Sequence, residues 1–170
     1  MRISDWSSDV CSSDLLLVTP GPSTAQSVHA IELGTGFFNA TKNERALAFH
    51  VSYRARRTSS FFVPITGVNI HVNGDAFSYG GLSTIIFHDR ILEIAFDAAV
   101  GTYFSGPANI LGLPVEFRTG FQVNFLLPRG NGLGVAIHHI SNAGLSEINP
   151  GTETIVLKYF IPLNSSSSTP

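Results

Sequence analysis

Sulfur and charge are scarce in this sequence. Of its 170 residues one is cysteine, one methionine and one tryptophan, and these three, Cys11, Met1 and Trp6, all fall within the first eleven positions. A single cysteine permits no intrachain disulfide, so the fold must hold without covalent staples. Charged residues make up 13% of the chain and the formal net charge is −2, with no block of lysine or arginine. That excludes the basic footprint of a nucleic-acid-binding surface. No apolar run comes near the ~20 residues that a membrane-spanning helix requires. No stretch carries a helical hydrophobic period, and there is no internal repeat.

What is present points to strands. Hydrophobic residues reach 44%, and the mean hydropathy is +0.22. The 16 glycines and 13 phenylalanines suit tight turns and strands. High apolar content spread at short period, with few charges, fits either a β-sandwich or a membrane β-barrel.

The first residues stand apart. Asp5–Leu15 reads, residue for residue, as the translation of a DNA-sequencing adapter, so residues 1–15 are expected to be non-native. Leu15-Leu16-Leu17-Val18, followed by a Pro-Gly-Pro segment and the small residues Ser23, Thr24 and Ala25, has the form of a signal-peptide tail. Residues 16–27 are therefore read as a signal-peptide remnant, with cleavage expected after Ala25. Residues 28–163 make one domain, and the Ser-rich residues 164–170 a disordered tail.

Eight strand-like segments fill that domain: about Val28–Phe38, Arg45–Arg54, Phe62–Val72, Ala76–Phe87, Ile91–Tyr103, Val115–Leu127, Gly132–Asn142 and Thr152–Pro162. Turn chemistry separates them, as in Asn73-Gly74-Asp75 and Pro128-Arg129-Gly130-Asn131. Each alternates with period two. Val115, Phe117, Thr119, Phe121, Val123, Phe125 and Leu127 share one face, against Glu116, Arg118, Gly120, Gln122, Asn124 and Leu126 on the other. Leu92, Ile94, Phe96, Ala98 and Val100 likewise oppose Glu93, Ala95, Asp97, Ala99 and Gly101.

A soluble sandwich alternates too. Length favours the barrel: a tilted membrane strand needs ~9–11 residues, whereas soluble strands average ~5–6. Eight is an even number and the smallest in outer-membrane barrels. Glu93, Asp97, Glu116 and Arg118 among small Gly and Ala suit a narrow, hydrogen-bonded lumen. The expected fold is thus all-β, an eight-stranded antiparallel transmembrane β-barrel. With a periplasmic N-terminus, Ala55–Ser60, His88–Arg90 and Pro128–Asn131 are periplasmic turns. Asn39–Glu44, Asn73–Asp75, Phe104–Pro114 and Ala143–Gly151 are external loops. Tyr53, Tyr79, Tyr103 and Tyr159 all fall towards segment ends, as an aromatic girdle would place them.

One cluster carries chemistry. His139, Ser141 and Glu153 lie within fifteen residues and are the three side-chain types of a serine hydrolase triad. His139 and Ser141, two apart in a strand, share a face with Leu133, Val135 and Ile137. Glu153 shares its face with Ile155, Leu157 and Tyr159. One antiparallel register sets Glu153 opposite His139, Ile137 opposite Ile155, Val135 opposite Leu157 and Leu133 opposite Tyr159. Ionisable groups on a lipid face are costly and usually functional, and the cost falls near the interface. Ser141 is the expected nucleophile, His139 the general base and Glu153 its orienting partner. Asn149 and the backbone N–H of Gly144 are candidate oxyanion donors. Asn142 and His138 have lumen parity: Asn142 is expected to brace the loop, and His138 to be a structural hydrogen-bonder. Adjacent strand residues point to opposite faces, which argues against joint metal ligation by the two histidines.

The run His139-Ile140-Ser141-Asn142-Ala143 followed by Asn149-Pro150-Gly151-Thr152-Glu153 resembles the signature of the lipid A 3-O-deacylases, the PagL family. Tyr79-Gly80-Gly81-Leu82, Pro114-Val115-Glu116-Phe117-Arg118-Thr119-Gly120 and the closing Tyr159-Phe160-Ile161-Pro162-Leu163 are similar to that family as well. The resemblance covers roughly Val28 to Leu163. It implies an outer-membrane esterase that removes the 3-hydroxyacyl chain ester-linked at position 3 of lipid A. Its triad falls on His139, Ser141 and Glu153, and its oxyanion elements on Asn149 and Gly144. It implies no metal and no organic cofactor. The implied partner is lipid A or lipopolysaccharide of the outer leaflet, with pairing of two barrels left open. The Ser-rich stretch after Leu163 departs from the usual aromatic-bearing final strand. Two other readings stand beside this one: a non-catalytic eight-stranded outer-membrane barrel, and a soluble β-sandwich that binds a hydrophobic ligand.

Overall fold

Period-two alternation commits each segment to one apolar face and one polar face, and the chain satisfies both by closing a single sheet. A computed structural model describes residues 29–55, 62–105 and 111–163. The expected adapter-derived segment, signal remnant and Ser-rich tail lie outside the described residues, as do 56–61 of one turn and 106–110 of one loop. The strands are β1 (His29–Phe38), β2 (Ala46–Arg54), β3 (Phe62–His71), β4 (Ala76–His88), β5 (Leu92–Phe104), β6 (Val115–Leu126), β7 (Gly132–Ser141) and β8 (Thr152–Leu163). Each pairs antiparallel with its neighbours in chain order, and β1 pairs with β8. The result is one closed eight-stranded barrel rather than two packed sheets, which rules out the sandwich.

No helix among the described residues is long and apolar enough to cross a membrane. Crossing falls to the strands, of 9 to 13 residues. Ten strand residues tilted as in such barrels rise about 25 Å, the height of an outer-membrane apolar band. Closure also leaves no strand edge to be solvated by lipid. The outward face is apolar all round: Phe49, Ile70, Phe121, Phe125, Ile137 and Leu157 are each at least half exposed.

The inward face is polar. An eight-stranded barrel is just wide enough for side chains to fill it, and here they do so as ion pairs. Arg54 Nη1 meets Glu93 Oε1 at 2.8 Å, Arg118 Nη2 meets Asp97 Oδ2 at 3.1 Å and Lys158 Nζ meets Glu32 Oε2 at 3.1 Å. Gln122 Nε2 donates to Asp97 Oδ1 at 2.8 Å, and the Arg118 guanidinium lies 3.8 Å over the Tyr79 ring. Buried charges survive only when paired and hydrogen-bonded, so these contacts lock the strands to one another as well as filling the lumen.

Two details depart from the sequence reading. Tyr79 and Tyr103 do not belong to an aromatic girdle, because both are buried in the lumen. Strand parity puts Tyr79 on the face of Phe77 and Ser83, and Tyr103 on the face of Asp97 and Glu93; nearness to a strand end was the weaker cue. Only Tyr53 and Tyr159 face outward. A β-bulge between Ile85 and Phe87 adds a residue to β4, turning both Ile86 and Phe87 to the outside.

Candidate active site

The described parts of four connections, residues 39–45, 72–75, 111–114 and 142–151, gather at one end of the barrel, the loop end. β7 and β8 pair as Leu133↔Tyr159, Val135↔Leu157, Ile137↔Ile155 and His139↔Glu153, the register expected from packing. His139 and Glu153 therefore project from adjacent strands on the outer face near the loop end. Nδ1 of His139 lies 3.2 Å from Glu153 Oε1, with the side chains 49% and 33% exposed. With Nδ1 facing the carboxylate, Nε2 lies on the far side of the ring, where a Cβ at Gly151 would come within 3.4 Å of it.

Ser141 closes β7, two residues beyond His139 and on the same face, opposite Phe117 of β6. The hydrogen bond within this trio of side chains is His139–Glu153; none joins Ser141 to the ring. Such bonds often tighten only around a substrate. Ile137 and Ile155 lie directly beneath, and Phe37 pairs with Ile155 across the seam between β1 and β8, so the polar cluster caps an apolar wall.

His138, one residue away, faces the lumen, where its Nε2 lies 3.3 Å from Asp97 Oδ2. It belongs to the buried network, as parity expects. Among the described residues no group of three or more His, Cys, Asp or Glu side chains is placed to hold a metal ion.

The β7–β8 loop is organised by Asn142, which is fully buried. Its Nδ2 donates to the Ile148 carbonyl at 2.8 Å and to the Leu111 carbonyl at 3.2 Å, and its Oδ1 accepts from the Gly144 N–H at 3.1 Å. These bonds tie the loop to the end of β7 and to the backbone of residue 111. Asn149 accepts the Asn142 N–H through Oδ1 at 3.1 Å, which turns its Nδ2 hydrogens away from that bond. The Gly144 N–H points at Asn142, not at open space over the serine.

Sequence reasoning places the β1–β2 loop outside the barrel but does not bring it to this site. Thr41 Oγ1 donates to Glu153 Oε2 at 2.5 Å, and Lys42 Nζ donates to the carbonyls of Pro150 at 3.2 Å and Gly151 at 2.5 Å. These partners are more than one hundred residues apart, and no local pattern signals such pairs. Gly151 was quoted only within its motif. Its φ is +56°, and a Cβ there would come within 2.9 Å of His139 Cε1, so the loop backbone lies against the imidazole.

No curated protein matches the sequence. The crystal structure of the outer membrane enzyme PagL superposes with a TM-score of 0.59 at 19% identity, covering 79% of this chain and 99% of that one. A de novo designed transmembrane β-barrel gives 0.57 at 9% identity, covering 81% and 96%. At these identities the likeness establishes the fold. The family model for lipid A 3-O-deacylase (PagL) matches residues 28–162, nearly the whole barrel. With fold and sequence in agreement, the chain belongs to the lipid A 3-O-deacylase (PagL) family and is an outer-membrane β-barrel.

Proposed function

We propose that this protein hydrolyses the ester that links a 3-hydroxyacyl chain to position 3 of lipid A, with a Ser141–His139–Glu153 triad on its lipid-facing surface. The observation that carries the reading is the His139–Glu153 contact on the outer wall, two residues from a serine on the same face. A hydrolase for soluble substrates has no use for a triad there. A lipid ester, held at headgroup depth in the leaflet around the barrel, reaches it sideways.

The chemistry follows from the positions. Ser141 Oγ attacks the ester carbonyl while His139 Nε2 takes its proton; Glu153, at Nδ1, orients the ring and stabilises the imidazolium. The tetrahedral oxyanion needs fixed donors. Asn149 Nδ2 is the readier one, because Oδ1 of that amide is already anchored. The Gly144 N–H serves only after it leaves Asn142 Oδ1. Collapse expels the sugar 3-hydroxyl, which receives the proton from His139. Water, activated by the same histidine, then cleaves the acyl-serine and releases a 3-hydroxy fatty acid. No step calls for a metal or an organic cofactor.

The test is made in a Gram-negative outer membrane, with an export signal fused ahead of the barrel. Lipid A mass spectra are expected to lose one 3-hydroxyacyl group. Ser141→Ala abolishes the change while the barrel still folds, as judged by its heat-dependent shift on gels. Unchanged lipid A around a folded wild-type barrel defeats the proposal and leaves the non-catalytic barrel.

A further inference from the structure

Glu153 is the second residue of β8, at the rim of the barrel and one third exposed. A glutamate has three side-chain rotors, and an exposed one gains entropy by leaving any single geometry. To orient His139 it must be held, and one oxygen against an imidazole does not fix the plane of a carboxylate. Its other oxygen is taken by the Thr41 hydroxyl. The two oxygens thus have different partners: Oε1 faces His139 Nδ1, and Oε2 accepts from Thr41.

The backbone that carries Thr41 is itself tied to β8. The Ala40 N–H donates to the Glu153 carbonyl at 2.9 Å, and the Lys42 N–H to the Asn39 carbonyl at 2.9 Å. Asn39 is in the left-handed region at φ 54°, and its Oδ1 accepts from Thr152 Oγ1. Lys42 grips the Pro150 and Gly151 carbonyls on the other side. The β1–β2 loop is therefore fastened to residues 150–153 on both sides of Thr41, by Asn39 and Ala40 before it and Lys42 after it. Charge explains the division of labour. A cation on Oε2 would compete with the imidazolium for the carboxylate. A hydroxyl fixes the oxygen without placing a cation on it, while Lys42, whose charge also acts on Glu153, donates its hydrogen bonds to neutral carbonyls.

We propose that Thr41 is a positioning residue of this reaction, holding Glu153 in the orientation that His139 requires. The inference rests on the triad reading, and the experiment separates the two. Full-length protein is folded in detergent micelles and given lipopolysaccharide, and the released 3-hydroxy fatty acid is measured. Thr41→Val keeps the shape and removes the hydroxyl; kcat falls about ten- to a hundredfold, the scale of a ~1 Å misplacement of a catalytic group, with KM little changed. Thr41→Ser restores the hydroxyl and most of kcat. In a Glu153→Ala background Thr41→Val has no further effect, because Thr41 acts through that carboxylate.

Wild-type kcat in Thr41→Val overturns the inference. So does an equal loss with and without Glu153, or a loss that serine does not rescue. If Ser141→Ala is as active as wild type, the triad itself fails, a separate outcome. Gel shifts on every variant show that the barrel has folded.

Discussion

The loop backbone at Gly151 runs at φ +56°, where an L side chain is strained, and it leaves no room for a methyl beside the His139 ring. Both constraints converge on one residue. Gly151→Ala incurs the left-handed penalty of roughly 1–2 kcal/mol. Its methyl also lands 2.9 Å from His139 Cε1, and the ring is the softer partner. The imidazole is displaced from its position beside Glu153, and misplacement by ~1 Å costs up to about a hundredfold in rate. Hydrolysis of lipopolysaccharide by Gly151→Ala is therefore expected to fall about ten- to a hundredfold, while its urea midpoint in detergent drops only modestly. Full activity in this variant would show that the ring position does not depend on the loop. His138 and His139 show how far a single backbone step separates roles. One is buried against Asp97, the other stands half exposed on the outer wall.

At the scale of the strand, the lumen ladder ties elements that share no edge. Asp97 on β5 receives Arg118 and Gln122 from β6 and faces His138 from β7. Asp97→Ala leaves the Arg118 guanidinium buried without its carboxylate, which costs about 3–5 kcal/mol. The barrel should then unfold at markedly lower urea in lipid vesicles, read as the folded fraction on gels. Asp97→Asn, which keeps hydrogen-bonding capacity, should lose less; equal losses would mean that charge pairing contributes nothing here. The strands were legible because each writes its period in the sequence, and expected and observed boundaries differ by about one residue at either end. The His139–Glu153 pairing was legible for the same reason: one register satisfies Ile137, Val135 and Leu133 together. Partners across the closing seam were not. Thr41 reaches Glu153 only because β1 pairs with β8, setting Phe38 against Thr154, and nothing local in Asn39-Ala40-Thr41-Lys42 announces it. The β4 bulge was hidden too, since an apolar run such as Ile85-Ile86-Phe87 reads the same with or without an extra outward residue.

For the whole molecule, depth decides what the outer wall tolerates, and it bears on where the proposed reaction can take place. Phe121 lies near the middle of β6, opposite Phe96 and Ile137, at the centre of the apolar band. His139 lies two residues short of the end of β7, about 5 Å below the last strand residue for a tilted strand. A charge at the midplane of such a barrel costs about 2–4 kcal/mol, falling to about 0–1 near the interface. The same gradient that makes an imidazole and a carboxylate tolerable at the loop end would expel them from the level of Phe121. Phe121→Arg should therefore reduce folding into lipid vesicles by about 2–4 kcal/mol, whereas Leu145→Arg, on the β7–β8 loop, should change it by about 0–1 kcal/mol. Folding titrated in urea measures both. Equal penalties would place the loop end inside the hydrocarbon and remove the rationale for polar chemistry there. A steep difference would put the proposed triad at the interface, the level at which a Ser141–His139–Glu153 mechanism needs both a lipid ester and water.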